Sequence, residues 1–145
     1  MIIPVEKPYI ITSPYGPRML HGENQCHKGI DFISTKSDSV LSILDGVVTY
    51  DQDDYSEALR WTDGHHSGGN MLIIRHEIKW GFCYVRYLHL LENKIRKGQK
   101  VSGGEVLGIY ADVGRSYGAH LHVDAYDEKW RPFNITLLFK EEDLL

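Results

Sequence analysis

The chain has 145 residues, of which 42% are hydrophobic, and carries 16 Lys and Arg against 20 Asp and Glu for a net charge of −4. That length suits one domain, residues 1–145, with its own hydrophobic core. The acidic balance argues against a nucleic-acid partner, which requires a basic surface, and no segment approaches the roughly 18 apolar residues of a membrane span. Two cysteines make no disulfide framework. The opening MIIPVEKPYII lacks a basic stretch followed by a clean apolar run and cleavage site, so no signal peptide is expected and folding in a reducing cytoplasm is.

In chain order, short alternations of apolar and polar residues recur at 40–43, 46–51, 71–76, 82–89, 106–110 and 120–126. Clusters of Gly, Asp, Asn and Ser separate them, as in antiparallel hairpins. Helix signals are weak. Residues 55–61 allow a turn or two, and 135–145 predict a short closing helix with Asn134 as N-cap. These patterns predict an all-β architecture built on an antiparallel sheet. Residues 51–70 are too long for a hairpin loop and carry five acidic residues beside Tyr55 and Trp61. Long loops in compact domains are often functional, so this excursion is either a solvated surface loop or one wall of a substrate groove.

Two segments carry the chemistry. In AHLHVDAY, a period of two puts His120, His122 and Asp124 on one face and Leu121, Val123 and Ala125 on the other. Two imidazoles about 7 Å apart on one strand face can serve one metal, one as ligand and one beyond it. Far upstream, His27-Lys28-Gly29-Ile30-Asp31 offers an imidazole and a carboxylate four residues apart. A straight strand separates them by roughly 13 Å, so a turn at Gly29 is expected to bring them together. Two histidines and one aspartate leave the fourth position of a tetrahedral zinc open, which is the catalytic arrangement. A lone strand histidine is more often a hydrogen-bonded surface residue than a ligand, so the pairing of segments matters more than any one of the eight histidines. The sequence HExxH is absent, because Trp80 stands where a second histidine would follow His76-Glu77. His65 and His66 fall in a Gly-rich loop, where solvated histidines are expected. Cys83 lies in an apolar run and reads as a buried thiol, whereas Cys26 stands beside a candidate ligand.

The order and spacing of several motifs resemble the lysostaphin-type, LytM-like zinc endopeptidases, which cut peptide bonds in bacterial peptidoglycan. The motifs are SPYGPR (13–18), HKGIDF (27–32), DGVVTY (45–50), GGNMLIIRH (68–76), YLHL (87–90), KGQKVSGGEVLGIY (97–110) and GRSYGAHLHVDAY (114–126). The resemblance implies a duplicated-hybrid-motif fold related to biotinyl/lipoyl-like β structures. It implies His27, Asp31 and His122 as zinc ligands and His89 and His120 as catalytic histidines. Some family members place a tyrosine shortly before the first ligand; here 20–26 holds none, and His21 lies in that stretch. His21, Tyr55 and Trp61 are the candidate substrate-binding residues. A zinc-bound water reaches a pKa of about 7, and a histidine with reference pKa near 6.5 can take up its proton.

Peptidoglycan peptides are the substrate this resemblance implies, with no protein partner evident. A net charge of −4 supplies no attraction to an anionic wall. A cytoplasmically folded enzyme with an extracytoplasmic substrate suggests a phage-encoded protein, released through a holin pore or carried on the virion. The alternatives are a non-enzymatic structural or activating member of the same fold and a phosphotransfer carrier domain. All five implied site residues being present disfavours the first, and Asp31 disfavours the second.

Overall fold

The computed structural model describes residues 2–20, 22–55, 68–113 and 118–139. Its strands are β1 (Tyr9–Ser13), β2 (Gly16–Leu20), β3 (Glu23–His27), β4 (Gly29–Ser34), β5 (Ser39–Leu41), β6 (Gly46–Gln52), β7 (Asn70–Ile78), β8 (Gly81–Asn93), β9 (Lys100–Val101), β10 (Val106–Tyr110), β11 (Leu121–Tyr126) and β12 (Pro132–Phe133). A main sheet runs β1-β4-β11-β8-β7-β6-β9, with β12 on β11 and β10 bridging β5 and β8; β2 and β3 form a separate hairpin. Every strand pairing is antiparallel. The expected all-β class is therefore the observed one.

One face of the main sheet is covered and the other is open. Along β8, Cys83, Val85 and Tyr87 are fully buried, while Phe82, Tyr84, Arg86 and Leu88 on the opposite face are half-buried. Leu72 and Ile74 of β7 and Leu121, Val123 and Ala125 of β11 join the buried side. Removing these side chains from water contributes roughly 1.5–3 kcal/mol for each large one. The covered face also holds His76, whose ring Nδ1–H donates to the Asp45 carbonyl at 3.0 Å. The Tyr87 hydroxyl donates to its Nε2 at 3.2 Å and accepts from the Ile43 N–H at 3.2 Å. Every polar atom of this buried group thus has a partner.

Of the closing helix expected over 135–145, the described residues form a 3-10 turn, Ile135–Leu138, with the Asn134 carboxamide as N-cap and Phe139 as C-cap. Burial of Ile135 and Leu138 holds it against the sheet. Residues 140–145 and the expected turn over 56–61 lie outside the described residues.

Candidate metal centre and cleft

Three strands bring the chemistry together. β11 lies between β4 and β8, with His122 opposite Asp31 on one side and Leu88 on the other. Gly29, opposite Asp124, is what lets β4 and β11 approach at this point. A Cβ there would collide with the Val123 carbonyl oxygen and the His122 ring. The sequence expectation of a turn at Gly29 is corrected accordingly: the residue lies in extended β4 and supplies space, not a left-handed bend. His27, at the end of the β2–β3 hairpin, reaches the same spot from the side.

His27 Nε2 lies 3.4 Å from Asp31 Oδ1 and 3.2 Å from His122 Nδ1, and His122 Nδ1 lies 2.9 Å from the same carboxylate oxygen. The outer nitrogens are already committed. His27 Nδ1–H donates to the Pro14 carbonyl at 2.9 Å, and His122 Nε2–H donates to Asp124 Oδ2 at 3.0 Å. A neutral imidazole carries one donor and one acceptor, so both rings turn a lone pair towards the Asp31 oxygen. Three electron-rich atoms within 4.8 Å of one another call for a cation.

The proton equilibria express the same demand. Burial alone would lower the pKa of His122, yet the carboxylates of Asp124 and Asp31 hold a proton on it and push it up to about 9. Burial would raise Asp31, but hydrogen bonds and charge from His122 and His27 hold it well below the usual carboxylate range. A bound metal would replace that shared proton. The residues present therefore fit a two-histidine, one-carboxylate metal site.

Behind this trio stands a support that the sequence did not reveal as a unit. Arg86 donates twice to Asp124, from Nε at 2.8 Å and Nη2 at 2.6 Å, and Asp124 in turn fixes the His122 ring. Asp124 is 1% exposed, so the forked pair both neutralises a buried charge and orients its carboxylate. The sequence placed Asp124 on the histidine face, but Arg86 lies 38 residues away and only the β8–β11 register joins them. Arg18 was likewise missed as a site residue. Its Nη1 donates to Ser13 Oγ at 2.9 Å and sits 3.7 Å from Asp31 Oδ2.

The two remaining histidines lie beside the trio. His120 Nδ1–H donates to the Gly118 carbonyl at 2.9 Å, and its Nε2 is 3.8 Å from Asp31 Oδ1. His89 packs edge-on against it, ring centroids 4.6 Å apart. It sits at a bulge, where β8 gains one residue against β7 between Tyr87 and Leu90. Its φ is +67°, a region rarely used outside glycine and found at functional sites. The bulge is held by His89 N–H donating to Gly68 O at 2.7 Å and by Ala111 N–H donating to His89 O at 3.1 Å. It brings His89 to the cleft beside Leu88. Burial, reinforced by the neighbouring histidines, drops the His89 pKa to about 3, and its Nδ1 is buried without a hydrogen-bond partner among the described residues. An unmet ring nitrogen in a cleft is a place for a substrate or water atom.

All five implied site residues line one cleft of about 770 Å³, with Arg18, Ser13 and Leu88 among its walls. Tyr55 is not among them. It is 9% exposed, and its N–H donates to the Asn70 carboxamide at 2.8 Å. Trp61 and His21 lie outside the described residues, as do His65 and His66. Cys83 is fully buried, with its thiol pushed up by burial to about 11. Cys26 is exposed on β3 and takes no part in the trio.

Residues 25–135 match the model of peptidase family M23. The chain belongs to that family. It is 35% identical over 135 residues to the peptidoglycan DD-endopeptidase ShyA of Vibrio cholerae, covering 90% of this chain and 28% of that protein. The crystal structure of a zinc-containing peptidase from Vibrio cholerae superposes with a TM-score of 0.70 at 32% identity, covering 90% of this chain and 37% of that one. The catalytic domain of lysostaphin from Staphylococcus simulans shares the fold at a TM-score of 0.67 and 22% identity, over 90% of this chain and 91% of that domain. The chain thus spans about a quarter of the length of the first of these relatives. Its M23 membership agrees with the resemblance carried by the sequence motifs.

Proposed function

We propose that this M23 chain is a zinc-dependent endopeptidase that hydrolyses peptide bonds in peptidoglycan stems or cross-bridges. The observation that carries the reading is the convergence of His27 Nε2, His122 Nδ1 and Asp31 Oδ1 beside two further imidazoles in one open cleft. A zinc ion held by His27, Asp31 and His122 would supply hydroxide at neutral pH and would polarise the scissile carbonyl.

The chain's own groups do the rest. Pro14 and Asp124 lock the tautomers of His27 and His122, so neither ligand ring needs to reorient during turnover. His89 stays neutral throughout the physiological range, because burial and neighbouring charge suppress its protonated form. His120 keeps its Nδ1 proton on Gly118, which leaves Nε2 towards the cleft as a proton acceptor. One of these two imidazoles takes the proton of the attacking water and returns it to the leaving amine; the other donates to the developing oxyanion. Arg18 Nη1 stands 3.7 Å from the outer oxygen of Asp31 and gives that carboxylate a positive neighbour.

The names of the relatives favour a bond between a D-alanine and a diamino acid over a glycine bridge, since ShyA is a peptidoglycan DD-endopeptidase. The carrier-domain alternative is disfavoured by geometry as well as sequence. A phosphorylated His122 would place its phosphate against the Asp31 carboxylate, 2.9 Å from Nδ1.

The test is digestion of purified cell walls of defined cross-bridge chemistry, with mass spectrometry of the fragments. Cleavage should yield a new amine at the cross-link, stop on chelation and return with zinc. Intact walls at full zinc occupancy, across walls of both bridge types, would contradict the proposal.

A further inference from the structure

The open face that holds the metal trio continues past it, and what lies there is aromatic. The β8–β11 register stacks three rows away from the trio: His122 with Leu88, Asp124 with Arg86, then Tyr126 with Tyr84. At about 3.4 Å per residue the third row stands about 13 Å from His122. Trp130, from the β11–β12 turn, lies flat on Tyr84 with centroids 4.7 Å apart and an interplanar angle of 8°, and tilts over Tyr126 at 5.1 Å. It is nonetheless 47% exposed. Guanidinium groups flank the rings: Arg86 lies 5.0 Å over Tyr126, and Arg75 lies 3.9 Å over Phe82, which meets Tyr84 edge-on.

The turn is built to present that indole. Trp130 has φ +59°, a conformation suited to glycine or asparagine and a genuine outlier for a bulky residue. Asp127 enforces it. Its carbonyl accepts from Trp130 N–H at 3.0 Å, one carboxylate oxygen accepts from the N–H groups of Lys129 and Arg131, and the other accepts from Arg131 Nε at 2.7 Å. Folding alone is better served by a small residue here. Holding a large ring in a strained turn, half in solvent, points to a use for its free face.

We propose that Trp130, stacked on Tyr84 and Tyr126, forms a platform for a sugar ring of the glycan strand that carries the peptide cut at the metal trio. The inference rests on the peptidoglycan reading above and adds a subsite to it. A pyranose offers an apolar C–H face to an indole and hydroxyls at its rim; the flanking Arg86 and Arg75 are themselves paired with Asp124 and Glu77. The spacing fits as well. About 13 Å is the reach of about four extended residues, the order of length of a stem between sugar and cross-link. In the β8–β11 register the Arg86 row stands between the platform and the trio, so a ligand spanning both would pass over Arg86, whose side chain is partly exposed.

The experiment compares one cross-linked peptide in two forms, with its disaccharides attached and with them removed, using the zinc-loaded chain. The wild type should cleave the sugar-bearing form about threefold to tenfold more efficiently, expressed in KM, as one aromatic stack provides. Trp130→Gly suits the backbone, so it should leave the melting temperature unchanged or higher while erasing the preference between the two forms. Trp130→Phe should restore part of it. In parallel, a peptide-free tetrasaccharide of N-acetylglucosamine should shift the Trp130 indole N–H resonance of the wild-type chain. Equal efficiency on both forms in the wild type, or an equal loss on both in Trp130→Gly with a fall in melting temperature, would show the indole to be a structural cover. Failure to cleave either form would refute the peptidase reading, and the indole resonance would still decide the platform: a shift supports it and no shift overturns it.

Discussion

On the covered face of the sheet, His76 gives its one proton to Asp45 and receives one from Tyr87, and nothing about it is left unmet. Over the open face of that sheet, His27 from the β2–β3 hairpin and His122 from β11 are tied by their outer nitrogens while their inner ones converge on a carboxylate, and His89 keeps a buried nitrogen without a partner among the described residues. The residue type is the same, and burial is comparable for His76 and His27, at 0% and 4% exposed. What separates them is where the second ring nitrogen points. A histidine whose two nitrogens are both satisfied by the fold stabilises the fold; one whose second nitrogen is held open towards like neighbours is prepared for a ligand.

The comparison can be broken most forcefully at the open face. His89→Ala and His120→Ala should each lose about 10²–10⁴ in turnover, because proton transfer by a positioned imidazole carries that much. Zinc content should stay at that of the wild type in both. Loss of metal in either variant would move that histidine among the ligands. The double variant should be hardly slower than the worse single one, since groups acting as a unit are not additive.

Acid sharpens the other half. Burial drops the His76 pKa from 6.5 to about 4, outweighing the bond to Asp45. The folded state therefore refuses a proton that the unfolded chain accepts. The stability from this residue is complete above pH 6.5 and is lost as the pH falls towards 4, by about 3 kcal/mol. Denaturant unfolding of the wild type and His76→Gln between pH 7 and 4 measures it. The variant should be less stable at pH 7 but show a shallower acid slope, with unchanged zinc stoichiometry in the folded fraction. A parallel acid slope in the two proteins would remove His76 as the cause.

A smaller effect tests the support behind the ligands. Asp124→Asn keeps an oxygen for His122 Nε2–H but loses the charge that Arg86 clasps. Zinc affinity should fall about 10–100-fold, the usual loss when such a partner is changed, and competition against a chromogenic chelator reads it. Unchanged affinity would make the Arg86–Asp124 pair a purely structural ion pair.

The sequence shows the strands that bury one face, and shows them where alternation survives. Residues 71–76, 82–89 and 106–110 all fall inside β7, β8 and β10. It is silent where alternation fails. Ile30, Asp31 and Phe32 of β4 are all buried, so their strand has no period of two, and β3 is exposed until His27. The candidate ligand residue types were legible because HKGID and HLH carry them in a motif. Their geometry was not, since it depends on Gly29 admitting β11, which is a contact between residues far apart in sequence. His89 was legible as a residue but not in its placement, because strict alternation would turn it inward with Tyr87 and a one-residue bulge reverses that. Tyr55 was legible as an aromatic beside acidic residues but not in its placement, which depends on Asn70 accepting its backbone N–H from 15 residues away.

The central claim is that His27, Asp31 and His122 bind one zinc ion per chain through the nitrogens and oxygen that face one another. The most direct measurement is zinc content by elemental analysis of the wild type and of His122→Ala, both purified folded and equilibrated with one equivalent of zinc. Three ligands with an open fourth position predict one zinc in the wild type and far less than one in the variant, with wall digestion lost in step. A His122→Ala chain that retained one zinc and full activity would contradict the account.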